Sequence, residues 1–375
     1  MRVGLNLVYL VERAAGAGRY AYELLPALLE TEPGIHVSAF VSRDAPPDLR
    51  RQSWAEEVDW VELPVRFSNR THLLGQVAAL PVIAARRRLD VVHSLANGGP
   101  PLTFRAAKVV TLLDLIWLHQ GEAWDSARAV RSMALFVRLS ARAADRLITI
   151  SEAARDDLVT TLGLKAAKID VAPLGVRPPD GASAVNTREL RRKLELDEAP
   201  VVLCVAQKRP YKNLAALIRA LPGLEDERAV LVLPGSPTEH ESELRGLALE
   251  LGVSHRVRFL DWVSEDELEG LYRIAACVAL PSLVEGFGLP VLEAMARGVP
   301  VACSNRPSLP EVAGDAALLF DPLDQQGVTE AIRRLLRDDT LRAEMADRGR
   351  ERARLFSWRK TAEKTLATYR RAIGE

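Results

Sequence analysis

Two carboxylates flank a glycine-containing loop in the second half of the chain. Glu285 stands before the loop, and Glu293 falls in the first turn of the helix that we expect to follow it. Gly286 and Gly288 let the backbone come close to a ligand, and Pro290 suits the first helical position. A helix start binds phosphate, and carboxylates accept hydrogen bonds from hydroxyl groups. The pattern indicates a site for a phosphorylated sugar or a ribose; the alternative is a tight strand-to-helix turn with an acid on the helix dipole.

The stretch E-G-F-G-L-P-V-L-E at 285–293 resembles the E-x7-E signature of retaining GT-B glycosyltransferases, in particular glycosyltransferase family 4. Three more blocks are similar to that family: G-A-G-R-Y at 16–20, R-P-Y-K-N-L at 209–214 and S-L-P-E-V-A-G-D-A-A at 308–317. The resemblance covers nearly the whole chain. It implies an α/β GT-B fold, with two Rossmann-like doubly wound domains facing across a cleft.

The resemblance also implies roles for individual residues. Glu285 matches the acid that holds hydroxyls of the donor sugar, and Glu293 matches the acid on the nucleotide ribose. Lys212 matches the lysine on the donor diphosphate, where a fixed cation stabilises the charge that the leaving group gains. The implied donor-binding set further includes Gly16, Gly18, Gln207, Gly286, Phe287, Gly288, Leu289 and Val263.

The roles of the two cations at positions 209 and 212 each have an alternative. Lys212 is either a diphosphate ligand or a solvated charge at a helix start, where a positive charge is slightly unfavourable. Many family members carry a diphosphate-binding arginine five residues before this lysine, and that position here is Gln207. Arg209 either substitutes for it in the catalytic set or lies on the surface.

The chain departs from the family pattern after the strand-like run at 109–112. Family members often have His-Asp at the next two positions, where this chain has Leu113 and Asp114. Leucine cannot donate a hydrogen bond, so the donor lacks the group that the histidine contacts, or the acceptor differs, or activity is lost. We assign Asp114 to the catalytic set in preference to His119, which follows on the same loop.

Two residues are assigned to the acceptor side. Arg19 belongs to the glycine-rich block near the start of the chain. His93 ends the strand-like run D-V-V-H-S and would point at the cleft, although a satisfied structural histidine is the alternative.

The helical segment 126–146 carries a basic face. At about 100° per residue its arginines fall within a stripe of about 80°: Arg128, Arg131, Arg138, Arg142 and Arg146. Leu135 and Leu139 border the stripe. The positions expected to face the core are Val130, Met133, Val137 and Ala144. The basic face is either an ordinary solvated surface or a peripheral contact with an anionic membrane or a lipid-phosphate acceptor.

These residues are carried by short β-rich runs that alternate with longer helical stretches, which predicts βαβ units and parallel sheets covered on both faces. Expected strands are 2–9, 36–41, 58–63, 90–93, 108–112, 147–150, 201–205, 229–233, 256–259, 276–280, 299–303 and 317–319. Expected helices are 19–30, 72–88, 126–146, 152–162, 212–221, 238–251, 265–274, 290–297, 325–336 and 357–372. We predict an acceptor-side domain over 1–177, a donor domain over 178–355 and a C-terminal helix within 356–375, with a return to the first domain as one placement.

Composition narrows the class of protein. The 375 residues suggest two domains, and 50 basic residues balance 50 acidic ones, which argues against a general nucleic-acid binder. Three cysteines in apolar runs indicate a reducing compartment, and the six histidines lack metal-ligand spacing. No apolar run approaches the roughly 20 residues of a membrane span, and no signal peptide is visible. We therefore expect a cytoplasmic enzyme that needs no metal and no cofactor beyond its nucleotide-sugar co-substrate, with peripheral contact at the inner face of the membrane as one placement.

The sequence thus predicts a retaining glycosyltransferase that moves a sugar from a nucleotide-diphosphate donor to a hydroxyl of a saccharide, lipid-linked or small-molecule acceptor. Two alternatives stay open. A nucleotide-sugar 2-epimerase shares the architecture and needs no acceptor. A catalytically impaired nucleotide-binding protein is suggested by Leu113 and Gln207.

Overall fold

The structure, a computed structural model, describes residues 1–11, 15–66, 75–103, 105–121, 126–179, 186–224, 226 and 228–375. They divide into two compact units, one of Met1–Gly175 with Ser357–Glu375 and one of Val176–Phe356. The divisions expected from the sequence lie at 177/178 and 355/356. The first residues of the predicted helix 72–88 lie outside the described residues.

Each unit contains a parallel sheet. In the described part of the first unit seven strands pair in the order β3-β2-β1-β4-β5-β6-β7. They are β1 (Arg2–Asn6), β2 (His36–Val41), β3 (Val58–Glu62), β4 (Val91–Ser94), β5 (Ala107–Thr111), β6 (Arg146–Thr149) and β7 (Ile169–Val171). In the described part of the second unit six strands pair in the order β10-β9-β8-β11-β12-β13. They are β8 (Val201–Leu203), β9 (Val230–Leu233), β10 (Val257–Phe259), β11 (Ala275–Leu280), β12 (Val301–Ser304) and β13 (Leu318–Phe320).

Helices connect the strands. The described α-helices are α1 (Ala15–Thr31), α2 (Leu80–Arg86), α3 (Ile116–His119), α4 (Ala127–Ala143), α5 (Glu152–Leu162), α6 (Thr187–Lys193), α7 (Leu214–Ala220), α8 (His240–Glu250), α9 (Glu265–Ile274), α10 (Leu289–Ala296), α11 (Leu309–Ala313), α12 (Gln325–Arg337), α13 (Asp339–Ala353) and α14 (Trp358–Ile373). Serine caps begin several of them; the hydroxyl of Ser264, for example, accepts from the Glu267 N–H while the Glu267 carboxylate accepts from the Ser264 N–H. Central strands such as β8 and β9 are buried along their whole length, because helices cover both faces of a parallel sheet. The structure confirms the predicted pair of parallel α/β domains.

Strand order reverses once in each sheet, and this reversal positions the second unit's loops. Strands β8 and β11 are neighbours in the second sheet. The chain continues from β8 to β9 on one side and from β11 to β12 on the other side. Loops at the carboxyl ends of two such strands separate and leave a crevice, which is where ligands bind in open α/β sheets. The crevice of the second unit is therefore lined by the segments that follow Leu203 and Leu280.

Helix α4 differs from its prediction at both its end and its faces. It ends at Ala143, and Ala144 is already extended. Arg146 lies in β6 and pairs with Asp170 at 2.7 Å, so it does not belong to the basic face. Met133, expected in the core, is 40% exposed. The remaining arginines at 128, 131, 138 and 142 are exposed on α4, together with Leu135 and Leu139.

Helix α14 belongs to the first unit and is fixed there by a chain of buried polar groups. The His93 ring lies 2.7 Å from the Tyr369 hydroxyl through Nδ1 and 2.7 Å from Thr111 Oγ1 through Nε2. Tyr20 extends the chain, with its hydroxyl 3.3 Å from Thr111 Oγ1. A Cβ on Gly175 would lie 2.1 Å from the Trp358 backbone nitrogen, so the chain approaches α14 at a position that only glycine allows. Burial lowers the pKa of His93 to about 3.

His93 should make the first unit sensitive to acid. The unfolded chain binds a proton at His93 with a pKa of about 6.5, whereas the folded chain binds it only near 3. Stability from this residue is therefore fully present above pH 6.5 and is lost as the pH falls toward 3. Between pH 7.5 and pH 5 we expect the wild type to lose about 2 kcal/mol through this group.

Urea unfolding at the two pH values measures this loss. The non-titrating variant His93→Gln should show a pH dependence smaller by that amount, whatever its stability at pH 7.5. Equal pH dependence in the two proteins would contradict the assignment of His93 as a buried neutral residue.

Candidate active site

Lys212 and Glu285 meet in the second unit as a buried ion pair. Lys212 Nζ donates to Glu285 Oε1 over 2.6 Å, and the hydroxyl of Ser282 donates to the same oxygen over 2.7 Å. The side chains of the pair are only 15% and 8% exposed. They come from the segments after β8 and β11, at the carboxyl edge where the strand order reverses. The pair therefore occupies the crevice that this topology creates.

A short turn fixes Lys212. Residues Pro210–Lys212 form a single 3-10 turn, and Asn213 follows in the left-handed conformation with φ +53° before α7 begins. The Asn213 amide donates to the carbonyls of Pro281 and Pro322, over 3.3 and 2.9 Å. The bond to Pro281 attaches the lysine turn directly to the loop that carries Glu285, and the bond to Pro322 attaches it to the segment after β13.

The other side of the Glu285 loop is held by Ser308. The Ser308 hydroxyl lies 3.3 Å from the carbonyl of Glu285 and 2.9 Å from that of Phe287. Gly288 has φ +105°, and a Cβ there would lie 2.4 Å from Leu309, so both conformation and space require glycine. The Phe287 ring is buried edge-on against Phe356, with centroids 5.9 Å apart. Phe287 can thus offer a ligand its backbone but not its ring.

Helix α10 begins at Leu289, directly after this loop. Leu289 is therefore the first helical residue rather than a loop residue, and Pro290 is the second. The first N–H groups of a helix have no acceptor within it, so this start can bind an anion. Gly298 follows the helix with φ +67°, as expected for its end.

Glu293 lies deeper in α10 than the sequence suggested. It is the fifth residue of the helix, beyond the first turn, and it is 4% exposed. Its Oε2 accepts a hydrogen bond of 2.7 Å from the hydroxyl of Tyr272 on α9. The carboxylate is therefore one helical turn below the anion-binding start of α10.

The charges of the crevice balance each other. Burial lowers the pKa of Lys212, but the Glu285 carboxylate, together with Tyr211 and Cys204, outweighs burial, and the net pKa lies above the usual range. Lys212 is thus a cation across the physiological pH range. Burial raises the pKa of the nearby Cys204 thiol to about 12, so this cysteine is not a nucleophile.

The remaining donor-side residues lie around the same strand ends. Arg209 Nε donates to the Gln207 side chain over 3.3 Å, so these two candidates contact each other. Gly286 is buried, and Val263 is half-buried in the segment between β10 and α9. Sequence reasoning missed Lys208, which is fully buried and donates to the carbonyls of Gly235 and Leu260.

The first unit holds the other predicted residues. Gly16 and Gly18 lie in the first turn of α1 rather than in a loop. A Cβ on Gly16 would meet nothing within 4 Å among the described residues, so packing there does not require glycine. Arg19 lies 4.0 Å from Glu23 one turn along the helix.

Asp114 and His93 are held by their own surroundings. Asp114 Oδ1 accepts from the Ile116 N–H over 3.1 Å at the start of α3. The Asn97 amide oxygen accepts from the Leu113 N–H over 3.1 Å. His93 is fully buried with both ring nitrogens in hydrogen-bond contact, which corrects the expectation that it faces an acceptor. His119 lies 2.9 Å from Asp157.

In the part of the chain that the structure describes, no group of three or more His, Cys, Asp or Glu side chains is arranged to hold a metal ion. Among the same residues, no helix combines the length and the apolarity that a membrane span requires.

Comparison with known proteins gives consistent matches over both units. The family profile Glycosyl transferases group 1 matches residues 186–352, and the profile Glycosyl transferase 4-like domain matches residues 15–175. The chain is 30% identical to the O-antigen chain mannosyltransferase B of Escherichia coli, over 95% of this chain and 96% of that protein. It is 35% identical to a D-inositol 3-phosphate glycosyltransferase of Salinispora tropica, over 94% and 75% of the two chains. The structure is similar to sucrose-phosphate synthase of Thermosynechococcus elongatus, with a TM-score of 0.78, 23% identity and coverage of 99% and 98%.

The Lys212–Glu285 pair should stabilise the second unit only while both charges are present. Lys212→Met leaves a buried carboxylate without its cation and should cost about 3 kcal/mol. In the Glu285→Gln background the same change should cost about 1 kcal/mol, because the amide carries no charge to be compensated. Urea unfolding of the four proteins of this double-mutant cycle gives the coupling energy. A coupling near zero would show that the two groups do not interact in the free protein.

Proposed function

Because the chain belongs to the Glycosyl transferases group 1 family and is a glycosyltransferase, we propose that Lys212, Glu285 and Glu293 form its donor site. The donor is a nucleoside diphosphate sugar, and the sugar passes to a hydroxyl group with retention of configuration. The observation that carries this proposal is the buried Lys212–Glu285 pair beside the start of α10.

Lys212 supplies the cation of the reaction. An ammonium group has three donors, and among the described residues the hydrogen bond from Lys212 Nζ goes to Glu285 Oε1 alone. A donor diphosphate can therefore take a further N–H of Lys212 while the pair persists. The bond between the anomeric carbon and the diphosphate oxygen breaks, negative charge develops on that oxygen, and the fixed ammonium stabilises it. The N–H groups at the start of α10, next to Phe287, Gly288 and Leu289, add to this stabilisation.

The two acids recognise hydroxyl groups. Glu285 keeps its Oε2 available to accept from sugar hydroxyls, because the contacts with Lys212 and Ser282 are both made through Oε1. Glu293 recognises the ribose from one helical turn further along α10. Gln207, Arg209, Gly286 and Val263 complete the donor side.

In this proposal Arg19 of the first unit recognises the acceptor, Gly16 and Gly18 stay in the donor-binding set, and Asp114 stays in the catalytic set. The acceptor hydroxyl attacks on the face that the diphosphate leaves, and the departing phosphate oxygen takes the acceptor proton. The Escherichia coli relative is named an O-antigen chain mannosyltransferase. We therefore propose a saccharide acceptor and test mannosyl donors first.

A donor panel tests the proposal directly. GDP-, UDP-, ADP- and dTDP-sugars are added at about 100 times Kd, where a true donor adds roughly 2.7 kcal/mol and raises the melting temperature. Lys212→Met should weaken donor binding by about 10- to 100-fold, since a charge-assisted hydrogen bond contributes roughly 1.5–3 kcal/mol. The exposed Lys165→Met is the matched control and should bind as the wild type does.

Product analysis completes this test. With an oligosaccharide acceptor, the new bond should keep the anomeric configuration of the donor, and turnover should continue in EDTA because Lys212 provides the cation. Conversion of the donor to an isomer without acceptor would instead indicate an epimerase. No binding of any nucleotide at millimolar concentration would refute the donor site.

We further propose that α4 contacts an anionic lipid surface. Arg128, Arg131, Arg138 and Arg142 are exposed along the helix. Leu135 and Leu139 lie among them and are 59% and 50% exposed. Basic side chains that surround exposed leucines fit the headgroup region of an anionic bilayer. This contact would bring a lipid-linked saccharide to the enzyme.

Vesicles of equal parts phosphatidylglycerol and phosphatidylcholine test this contact. Each arginine near an anionic surface contributes about 1 kcal/mol, so Arg131→Gln with Arg138→Gln should weaken partitioning by roughly 30-fold. The control Arg334→Gln with Arg337→Gln removes two exposed arginines from α12 and should have little effect. Equal binding of all three proteins, or binding unchanged on pure phosphatidylcholine, would contradict the proposal.

A further inference from the structure

A buried tyrosine stands directly behind Glu293. Tyr272 lies on α9, is 0% exposed and donates its hydroxyl proton to Glu293 Oε2 over 2.7 Å. A buried phenol needs a polar partner, because an unpaired buried hydroxyl is costly. Here the partner is the carboxylate of Glu293, which the proposed function assigns to the ribose of the donor.

The backbone of Glu293 is held as well. Arg297 donates through Nη1 to the Glu293 carbonyl over 3.0 Å and through Nε to Glu269 Oε2 over 2.7 Å. The Arg297 guanidinium also lies 5.0 Å from the centroid of the Tyr272 ring. The same arginine therefore ties α9 to α10 at the level of Glu293.

The two contacts define the orientation of the carboxylate. Glutamate has three side-chain torsions and loses substantial rotamer freedom when it is ordered. The Arg297 contact holds the backbone from which the Glu293 side chain extends, and the Tyr272 hydroxyl holds the Oε2 atom at its other end. With both ends held, the directions open to the other oxygen are restricted before any ligand binds.

We propose that Tyr272 is a positioning residue that makes the donor site selective for ribonucleotides over deoxyribonucleotides. It acts by holding the Glu293 carboxylate in the orientation that accepts from a ribose hydroxyl. The inference rests on the proposed donor site and deepens it. It implies that dTDP-sugars, which lack the 2′-hydroxyl, are poor donors if that hydroxyl is the one bound.

Nucleotide analogues separate positioning from a merely structural role. The nucleoside diphosphate chosen by the donor panel is compared with its 2′-deoxy and 3′-deoxy forms by titration calorimetry. The wild type should bind the ribonucleotide about 10- to 100-fold more tightly than at least one deoxy form, as expected for a hydrogen bond to a charged group. In Tyr272→Phe, ribonucleotide binding should weaken about tenfold while binding of that deoxy form stays unchanged. The donor KM should rise with little change in kcat.

Two further variants make the result decisive. Tyr369→Phe removes a buried tyrosine hydroxyl from the first unit and is the matched control; it should keep full ribose discrimination. Glu293→Asp withdraws the carboxylate by one methylene while Tyr272 stays in place, so it should lose discrimination even if Tyr272→Phe folds poorly.

The possible failures are distinguishable. Equal weakening of ribonucleotide and deoxynucleotide binding in Tyr272→Phe would overturn the inference, because a general loss of packing does not sense one hydroxyl. Unchanged discrimination in Tyr272→Phe or in Glu293→Asp would overturn it too. If Glu293→Gln keeps discrimination, or the wild type binds no nucleotide, the proposed donor site itself is wrong and the inference falls with it.

Discussion

The ion pair of Lys212 and Glu285 is the interaction on which the arrangement of the second unit depends. Two opposite charges with little exposure are tolerable only if each stays within reach of the other and of further hydrogen bonds. That requirement fixes the turn before α7 against the loop after β11. Asn213 and Ser308 support the loop from its two sides by bonding its carbonyls. The constraint is thus met by hydrogen bonds from two side chains to loop carbonyls, which hold the loop without the help of a ligand.

The fold could be predicted where apolar periodicity is strong. The prediction failed where small or charged residues make the contacts. The alternation of β-rich and helical runs predicted both sheets, yet α13 went unrecognised. Its buried face consists of small residues and one methionine: Met345, Ala346, Gly349 and Ala353. Gly349 packs against Met295 of α10 so closely that a Cβ would lie 3.2 Å away. A face of this kind carries no apolar signal in the sequence, although it packs closely. The short α6, α11 and β7 were missed because so few residues show no period.

The residues of the candidate site also fall into those that could be predicted from the sequence and those that could not. Glu285 and Glu293 could be singled out because glycines and a proline mark the loop between them, and local spacing is visible in a sequence. Tyr272 could not, since its proposed role arises from a contact with a residue 21 positions away along the chain, and the contacts of Lys208 likewise span 27 and 52 positions. His93 shows the converse: a histidine at a strand end suggested a ligand contact, but α14 returns from 276 positions away to bury it.

Three polar side chains of low exposure in the second unit share one physical property. Each is paired within the protein before a ligand arrives: Lys212 with Glu285, Glu293 with Tyr272, and Lys208 with the carbonyls of Gly235 and Leu260. Groups that are already oriented need little reorganisation when charge develops near them, and this is the main source of electrostatic stabilisation in enzymes. The internal partners serve a second purpose, because a buried charge left unpaired in the free protein would destabilise the fold by several kcal/mol. In the proposed donor site, stability and catalysis consequently make the same demand on Lys212 and Glu293, and one set of contacts can meet both.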